Sequence, residues 1–476
     1  VFPVTTFQGR VVGVFGLART GIAACLALQA GGARVLAWDD AEAGRNAARA
    51  AGVEPVDLNG VDFAELAALV MSPGVPLYGP KRHWSVARAE AVGVPVIGDV
   101  ELFARELAAL PEAYRPKVVG VTGTNGKSTT TALIAHILAE CGRDVRMGGN
   151  IGVGVLALAP PRPGAVYVLE LSSYQLDLTT SLRCNAAVHL NLSPDHLERH
   201  GTMARYAQAK RAIFANQGPR DWAIVGVDDD WGEALCTRLN AANGRVVVPV
   251  ASGQSLGRGV CALGPMLWDS LDGRTTLACD LSHAAGLPGA HNGQNAAAAF
   301  AAARALGLPA DAIAAAILSF PGLAHRLQEV GRVGLVRFFD DSKATNADAA
   351  ARALTAFETV HWIAGGQAKT DGIDPLVPLF DRLAGAYLIG EAQERFAATL
   401  KAHAPHVPVR LCGTMEAAVR AAHADAEATG EPAIVALSPA AASFDQYPDF
   451  EARGAHFTAL VQALVKHHEG LSDTAA

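Results

Sequence analysis

The chain has 476 residues, half of them apolar, with 39 Lys and Arg against 46 Asp and Glu and a formal charge of −7. That length suits roughly three domains with ample core. The acidic balance, with no uncompensated basic stripe, argues against a nucleic-acid or anionic-membrane partner but leaves room for a phosphate-rich substrate.

The first predicted elements lie in VVGVFGLARTGIAACLALQAGGARVLAWDD. A strand, a Gly-bearing turn, a helix and a second strand ending at Asp39 make half of a Rossmann-like unit. The turn GLARTG departs from GxGxxG at Ala18, so by itself it reads equally as a nucleotide turn or an ordinary strand-to-helix turn. Asp39 is placed to hold a ribose. LVMSPGVP and VPVIGDVELF continue the α/β alternation, and the two prolines of AALPEAYRPK mark a boundary near residue 110.

The next segment opens with VTGTNGKSTT, residues 121–130, between the apolar strand KVVGV and the helix pattern TALIAHILAE. Strand, glycine loop and helix bring backbone N–H groups onto a phosphate, with Lys127 for the β/γ-phosphates and the Ser128 hydroxyl for magnesium. Counted from Gly120 the loop is one residue too long for GxxxxGK[ST]; counted from Gly123 it is tighter. It is a P-loop variant. Glu170 ends the strand of YVLELSSYQ, where a magnesium-holding carboxylate belongs. LNLSPDHLERHG carries Asp195, His196, Glu198 and His200, without three ligands at zinc spacing. Lys210, in the helix pattern YAQAKRAIF, alone reads as solvated. If desolvated, its neutral amine would take up carbon dioxide and become an oxygen ligand for magnesium. Residues 245–285 show short strand-like runs, expected to form a small antiparallel subdomain.

From residue 328 a third segment alternates four or five strands with alanine-rich helices: LVRFFDDSKATNADAA, VHWIAGG, GAYLIG, VPVRLCG and PAIVALSPAAASFDQYPDF. DDSKATN, with Lys343, and AGGQAK, with Lys369, each put a cation just past a strand, which together suggest an anion-binding sheet edge. The seven cysteines are dispersed, without a CxxC pair, and are expected to be buried thiols in a reducing compartment. VFPVTTFQGR lacks a signal-peptide pattern and no apolar run is long enough to cross a bilayer, so a cytoplasmic enzyme without membrane insertion is expected.

VTGTNGKSTT, GGNIG, ELSSYQL, NLSPDHLERH, the lysine of YAQAK, HNGQN, HR and DDSKATN occur in this order over essentially the whole chain. In that order they resemble the Mur ligase family of ATP-dependent amino-acid ligases. The resemblance implies an α/β protein of three domains: a Rossmann-like UDP-substrate domain over 1–110, a central P-loop ATPase domain with a parallel sheet over 111–327, and a Rossmann-like amino-acid domain over 328–476. SPGV near residue 72, DSKATN and SFDQY are similar to the member that adds D-glutamate to UDP-N-acetylmuramoyl-L-alanine, and the DNPR motif of the sibling acting next is absent from the sequence.

By the resemblance, Gly123, Thr124, Asn125, Gly126, Lys127, Ser128 and Thr129 bind ATP, with Asn292, Asn295, Arg326 and Asp341 completing the nucleotide site. Ser128 and Glu170 serve one magnesium ion; His196 and a carbamylated Lys210 serve a second. Arg19, Thr20, Ser72, Gly74, Asn150 and His196 face the UDP-sugar. Lys343, Thr345, Lys369, Ser443, Phe444 and Phe450 hold D-glutamate. A monomer is expected, opening and closing around its substrates. Three rivals stand beside this reading. A sibling amide ligase, such as a folylpolyglutamate synthase, differs only in its amino acid. An NAD-dependent oxidoreductase built on GLARTG leaves VTGTNGKST and DDSKATN unexplained. A non-catalytic nucleotide-binding module leaves Glu170, Lys210 and Lys369 without a task.

Overall fold

The computed structural model describes residues 2–290, 292–368 and 372–474, with side chains to residue 468. The chain divides into two compact units, Val1–Ala284 with Ala290–Phe320, and Ala285–Gly289 with Pro321–Ala476.

The first unit holds two sheets. Strands β1 (Val11–Phe15), β2 (Arg34–Trp38), β3 (Ala68–Met71) and β4 (Val96–Ile97) form a parallel sheet in the order β2-β1-β3-β4. The second sheet contains β5 (Lys117–Thr122), β6 (Asp144–Gly149), β7 (Ala165–Glu170), β8 (Ala186–His189), β9 (Trp222–Gly226), β10 (Val246–Ser252), β11 (Val260–Leu263), β12 (Met266–Asp269) and β13 (Thr276–Asp280). Its order is β13-β12-β11-β10-β9-β8-β5-β7-β6, parallel from β6 through β11. β5, β7 and β8 are near-continuous apolar runs because helices cover both faces, as parallel sheets require.

The expected separate subdomain over residues 245–285 is corrected. β11, β12 and β13 do pair antiparallel, but β10 aligns Val250 with Val260 of β11, so these strands extend the central sheet. An open strand edge is satisfied most simply by further strands.

The first two sheets share one core. Phe103, on the helix Asp99–Ala109, packs against Phe2 with ring centroids 5.3 Å apart and edge-on against Tyr167 of β7 at 5.0 Å. The Glu101 carboxylate of the same helix accepts from Thr180 N and Ser181 N at 2.8 Å. Deleting the buried Phe103 ring would cost about 3–5 kcal/mol.

The second unit carries β14 (Gln328–Val333), β15 (Val336–Asp340), β16 (Val360–Gly365), β17 (Leu383–Ile389), β18 (Val409–Gly413) and β19 (Ala433–Leu437), ordered β14-β15-β19-β16-β17-β18. Only β14 runs antiparallel. A hydrophobic cluster lies on each face, so strand ends carry the polar loops. All seven cysteines are unpaired thiols, five of them buried. Among the described residues no helix is long and apolar enough to cross a membrane.

Candidate active site

The P-loop follows β5 and leads into the helix Lys127–Glu140. Gly126 caps that helix in the left-handed region, φ 81°, and a Cβ there would stand 2.2 Å from Asn295 Oδ1. Glycine is required twice over, by backbone angle and by space. Asn295 also accepts from Thr130 Oγ1 at 3.1 Å and donates to Asn292 Oδ1 at 2.9 Å. Asn292 and Asn295 therefore lie directly behind the loop. Asn191 accepts from Asn125 N at 2.9 Å and donates to Gln294 at 2.8 Å, and Gln294 donates on to Asp228 at 2.6 Å. Asn191 and Gln294 sit inside the motifs NLSPDH and HNGQN, but only tertiary contact singles them out.

Two lysines meet at one carbonyl. Lys127 Nζ donates to Gly123 O at 3.1 Å and Thr124 O at 2.8 Å; Lys210 Nζ donates to the same Gly123 O at 2.7 Å. Lys210 lies in the last turn of the helix Met203–Arg211, is 2% exposed and stands 4.8 Å above the Tyr206 ring. Burial first, then the Lys127 charge, pushes its pKa down to about 6. The amine is therefore largely neutral at neutral pH, and the solvated-lysine reading falls.

β-Sheet register sets Glu170 beside Val121 at the head of the P-loop. The following helix is capped by Ser172, not by Glu170. Glu170 is 2% exposed; Oε1 accepts from Asn150 Nδ2 at 2.7 Å, while Oε2 is buried with no hydrogen-bond partner among the described residues. A buried, unpaired carboxylate oxygen is costly unless something completes it, and a magnesium ion fits that role. Among the described residues no three His, Cys, Asp or Glu side chains converge as a metal set. A divalent ion here would draw on hydroxyl and carboxylate oxygens, donors that suit magnesium. Ser128, buried in the first helical turn, is the hydroxyl at hand. Thr129 follows it on the same turn.

His196 takes a left-handed backbone, φ 52°, with its ring against Tyr174 and its Nδ1 3.2 Å from the Tyr174 hydroxyl. It faces Tyr206 from 6.3 Å, so His196 and Lys210 flank one ring. His200 is different: it is buried on Ser173 Oγ at 3.0 Å, and its pKa is held down to about 4 chiefly by burial.

The GLARTG turn is closed by packing. A Cβ on Gly21 would lie 1.8 Å from Gly16 O. Ala18, exposed and extended with φ −77°, needs no glycine. Asp39 is occupied by Leu17 N at 2.6 Å and Ala41 N at 2.8 Å, so its carboxylate braces the turn. Ser72 Oγ donates to Gly16 O at 2.8 Å, joining the SPGV loop to it. Gly74 faces open space, and Arg19 and Thr20 open the helix after the turn. A Cβ on Gly154 would lie 3.8 Å from Thr20, so the loop after Asn150 reaches the same edge. Arg199 donates to Val75 O and stacks 4.9 Å over Tyr174, tying the SPGV loop to the His196 turn.

In the second unit most of the remaining described site residues follow β15 and β19. Lys343 Nζ stands 5.1 Å over the Phe450 ring, and Thr345 N donates to Lys343 O at 2.9 Å. Ser443 is 2% exposed, whereas Phe444 is 69% exposed. Asp341 is buried, accepts from Ser438 Oγ at 2.8 Å and is pushed up to about 7, mainly by burial against which Ser438 and Arg326 act. Arg326 lies between two left-handed residues, His325 and Leu327. Lys369 lies outside the described residues. Among the described residues the expected site residues thus lie in three places: at the GLARTG turn of the first sheet, around the P-loop, and at the end of the last sheet.

Residues 121–303 match the Mur ligase middle domain and residues 325–440 match the Mur ligase glutamate ligase domain. The UDP-N-acetylmuramoylalanine–D-glutamate ligase of Phenylobacterium zucineum (strain HLK1) is 57% identical over 475 residues, covering 100% of both chains. The ligase of the same name from Caulobacter sp. (strain K31) is 57% identical over 98% of this chain and 99% of that one. The crystal structure of UDP-N-acetylmuramate-alanine ligase from Thermotoga maritima shares the fold, with a TM-score of 0.55 at 16% identity over 95% of this chain and 99% of that chain.

Proposed function

This chain belongs to the Mur ligase family, and on that premise we propose that it joins D-glutamate to UDP-N-acetylmuramoyl-L-alanine at the expense of ATP, in peptidoglycan precursor synthesis. It is an ATP-dependent acid–amino-acid ligase. The substrate carboxylate attacks the γ-phosphate of ATP, giving an acyl phosphate and ADP. The amine of D-glutamate then attacks the acyl carbon, and the tetrahedral intermediate expels phosphate.

Such chemistry asks the protein for positioning and charge neutralisation more than for covalent help. The P-loop amides and Lys127 hold the phosphates, with Asn292 and Asn295 behind them; Arg326 and Asp341 are assigned to the nucleotide by the family resemblance. Ser128 and Glu170 would hold one magnesium ion; His196 and Lys210 would hold a second. Bound magnesium neutralises charge on the transferring phosphoryl group. Lys210 joins the set by forming an N–C bond to carbon dioxide and releasing a proton to solvent. Its burial supports this, since among the described residues it makes no ion pair that would hold it as an ammonium. Arg19, Thr20, Ser72, Gly74 and Asn150 take the UDP-sugar, and Lys343, Thr345, Lys369, Ser443, Phe444 and Phe450 take D-glutamate, whose two carboxylates suit the two lysines. We assign the three tasks to residues 1–110, 111–327 and 328–476. We read the enzyme as a cytoplasmic monomer, for which sedimentation should return the chain mass of 49.3 kDa.

One observation carries the catalytic reading: Lys127 and Lys210 converge on Gly123 O beside a carboxylate with a buried, unpartnered oxygen. The test is phosphate release from ATP and magnesium with UDP-N-acetylmuramoyl-L-alanine, comparing D-glutamate with L-glutamate, meso-diaminopimelate and L-lysine. Release only with D-glutamate is expected. Release with another amino acid would change the family member, and no release with any would overturn the activity.

A further inference from the structure

Arg453 is the largest charged side chain buried in the second unit, only 1% exposed, on the helix that begins at Phe450. Among the described residues it has no carboxylate within ion-pair distance. Its guanidinium instead donates to four oxygens. Nε reaches Ser342 Oγ at 3.0 Å, Nη2 reaches Ser342 O at 2.9 Å and Ala441 O at 3.1 Å, and Nη1 reaches Gly365 O at 3.5 Å. These oxygens belong to three segments at the ends of the adjacent strands β15, β19 and β16, Ser342 and Ala441 just past the first two and Gly365 the last residue of the third. Ser342 Oγ in turn donates to Phe450 O at 2.8 Å. A Cβ on Gly366 would come 3.1 Å from Arg453 Nη1 and 2.3 Å from Ala442 O, so the loop after β16 closes tightly on this side chain.

Each segment leads directly into a residue assigned to the amino acid. Ser342 precedes Lys343, Ala441 is two residues before Ser443, and Gly365 ends β16, four positions before Lys369 in the sequence. Only a planar guanidinium has donors enough, in fixed directions, to bind three loops from one point. We propose that Arg453 is the positioning residue of the D-glutamate site, fixing the three loops relative to one another without touching the substrate. This rests on the placement of D-glutamate given above.

The test uses the full chain, with ATP, magnesium and UDP-N-acetylmuramoyl-L-alanine saturating and D-glutamate varied. Arg453→Lys keeps the charge and loses the fork. It should raise the KM for D-glutamate about tenfold or more, leave the KM for ATP unchanged and retain a cooperative melt. Ser342→Ala, a smaller change, should shift the same KM in the same direction and decides the matter if Arg453→Lys does not fold. Lys343→Ala is the control on placement. If it raises the KM for D-glutamate while Arg453→Lys and Ser342→Ala leave it at the wild-type value, the positioning role is overturned and the site stands. If Lys343→Ala also leaves it unchanged, the placement fails and the positioning role with it.

Discussion

Lys210 in the first unit and Arg453 in the second are both almost wholly buried, at 2% and 1% exposure, and both lie where loops leave the ends of parallel strands. Burial acts on them in the same direction and with opposite chemical results. The lysine pKa falls to about 6, below neutral pH; that of the arginine falls to about 10, still well above it. Lys210 therefore becomes a neutral amine with two hydrogen-bond acceptors, open to reaction with carbon dioxide. Arg453 stays a cation and offsets its desolvation with four acceptors. A buried lysine suits chemistry, whereas a buried arginine suits architecture.

The largest expected effect breaks the comparison on the lysine side. Lys210→Ala should lose about a thousandfold or more in kcat, and added bicarbonate should not restore it. Full activity in that variant would sink the carbamate reading. In wild type, ¹³C-labelled bicarbonate should give a carbamate carbon resonance that Lys210→Arg abolishes.

Glu170→Gln should cost about a hundredfold in kcat and raise the magnesium concentration needed for half-maximal rate about 10–100-fold. An unchanged magnesium requirement would remove Glu170 from the metal site. Gly126→Ala, forced into a left-handed backbone against Asn295, should destabilise the first unit by about 1–3 kcal/mol and raise the KM for ATP. Equal melting curves for variant and wild type would contradict the contact.

The smallest effect sharpens the second unit. Asp340 accepts a hydrogen bond from His325 at 2.7 Å, and that bond raises the histidine pKa despite partial burial. In the unfolded chain His325 titrates near about 6.5. The folded chain holds the proton more tightly, so the stabilisation is complete below that value and is lost as pH rises through the raised folded pKa. The stability advantage of wild type over His325→Gln should therefore shrink between about pH 6 and about pH 8. A gap that stays constant over that range would remove His325 as the source.

Much of this was legible because some sequence patterns carry their own physics. An apolar run, a glycine loop and a helix predict a phosphate cradle, and Glu170 at a strand end follows from the direction of a parallel sheet. Residues 245–285 were misread because strand-like runs do not reveal which edge they join. Ala18 looked like a departure from a glycine pattern, yet its backbone never needed glycine. Asn191 and Gln294 lay in plain view within motifs, but their hydrogen bonds span 66 and 103 positions of sequence separation. Arg453, in FEARGAHF, gave no signal, since an arginine on an amphipathic helix ordinarily faces water.

The sequence by itself determined the α/β alternation, the order of the motifs and the residue types the reaction needs, because periodicity and short loops are local properties of the chain. Only the tertiary structure decided which charges lose their water. That loss separates a solvated Lys210 from a reactive one, leaves an oxygen of Glu170 unpaired, and turns Arg453 from a surface cation into the tie between three loops. Desolvation depends on everything packed around a group, and no stretch of sequence contains that.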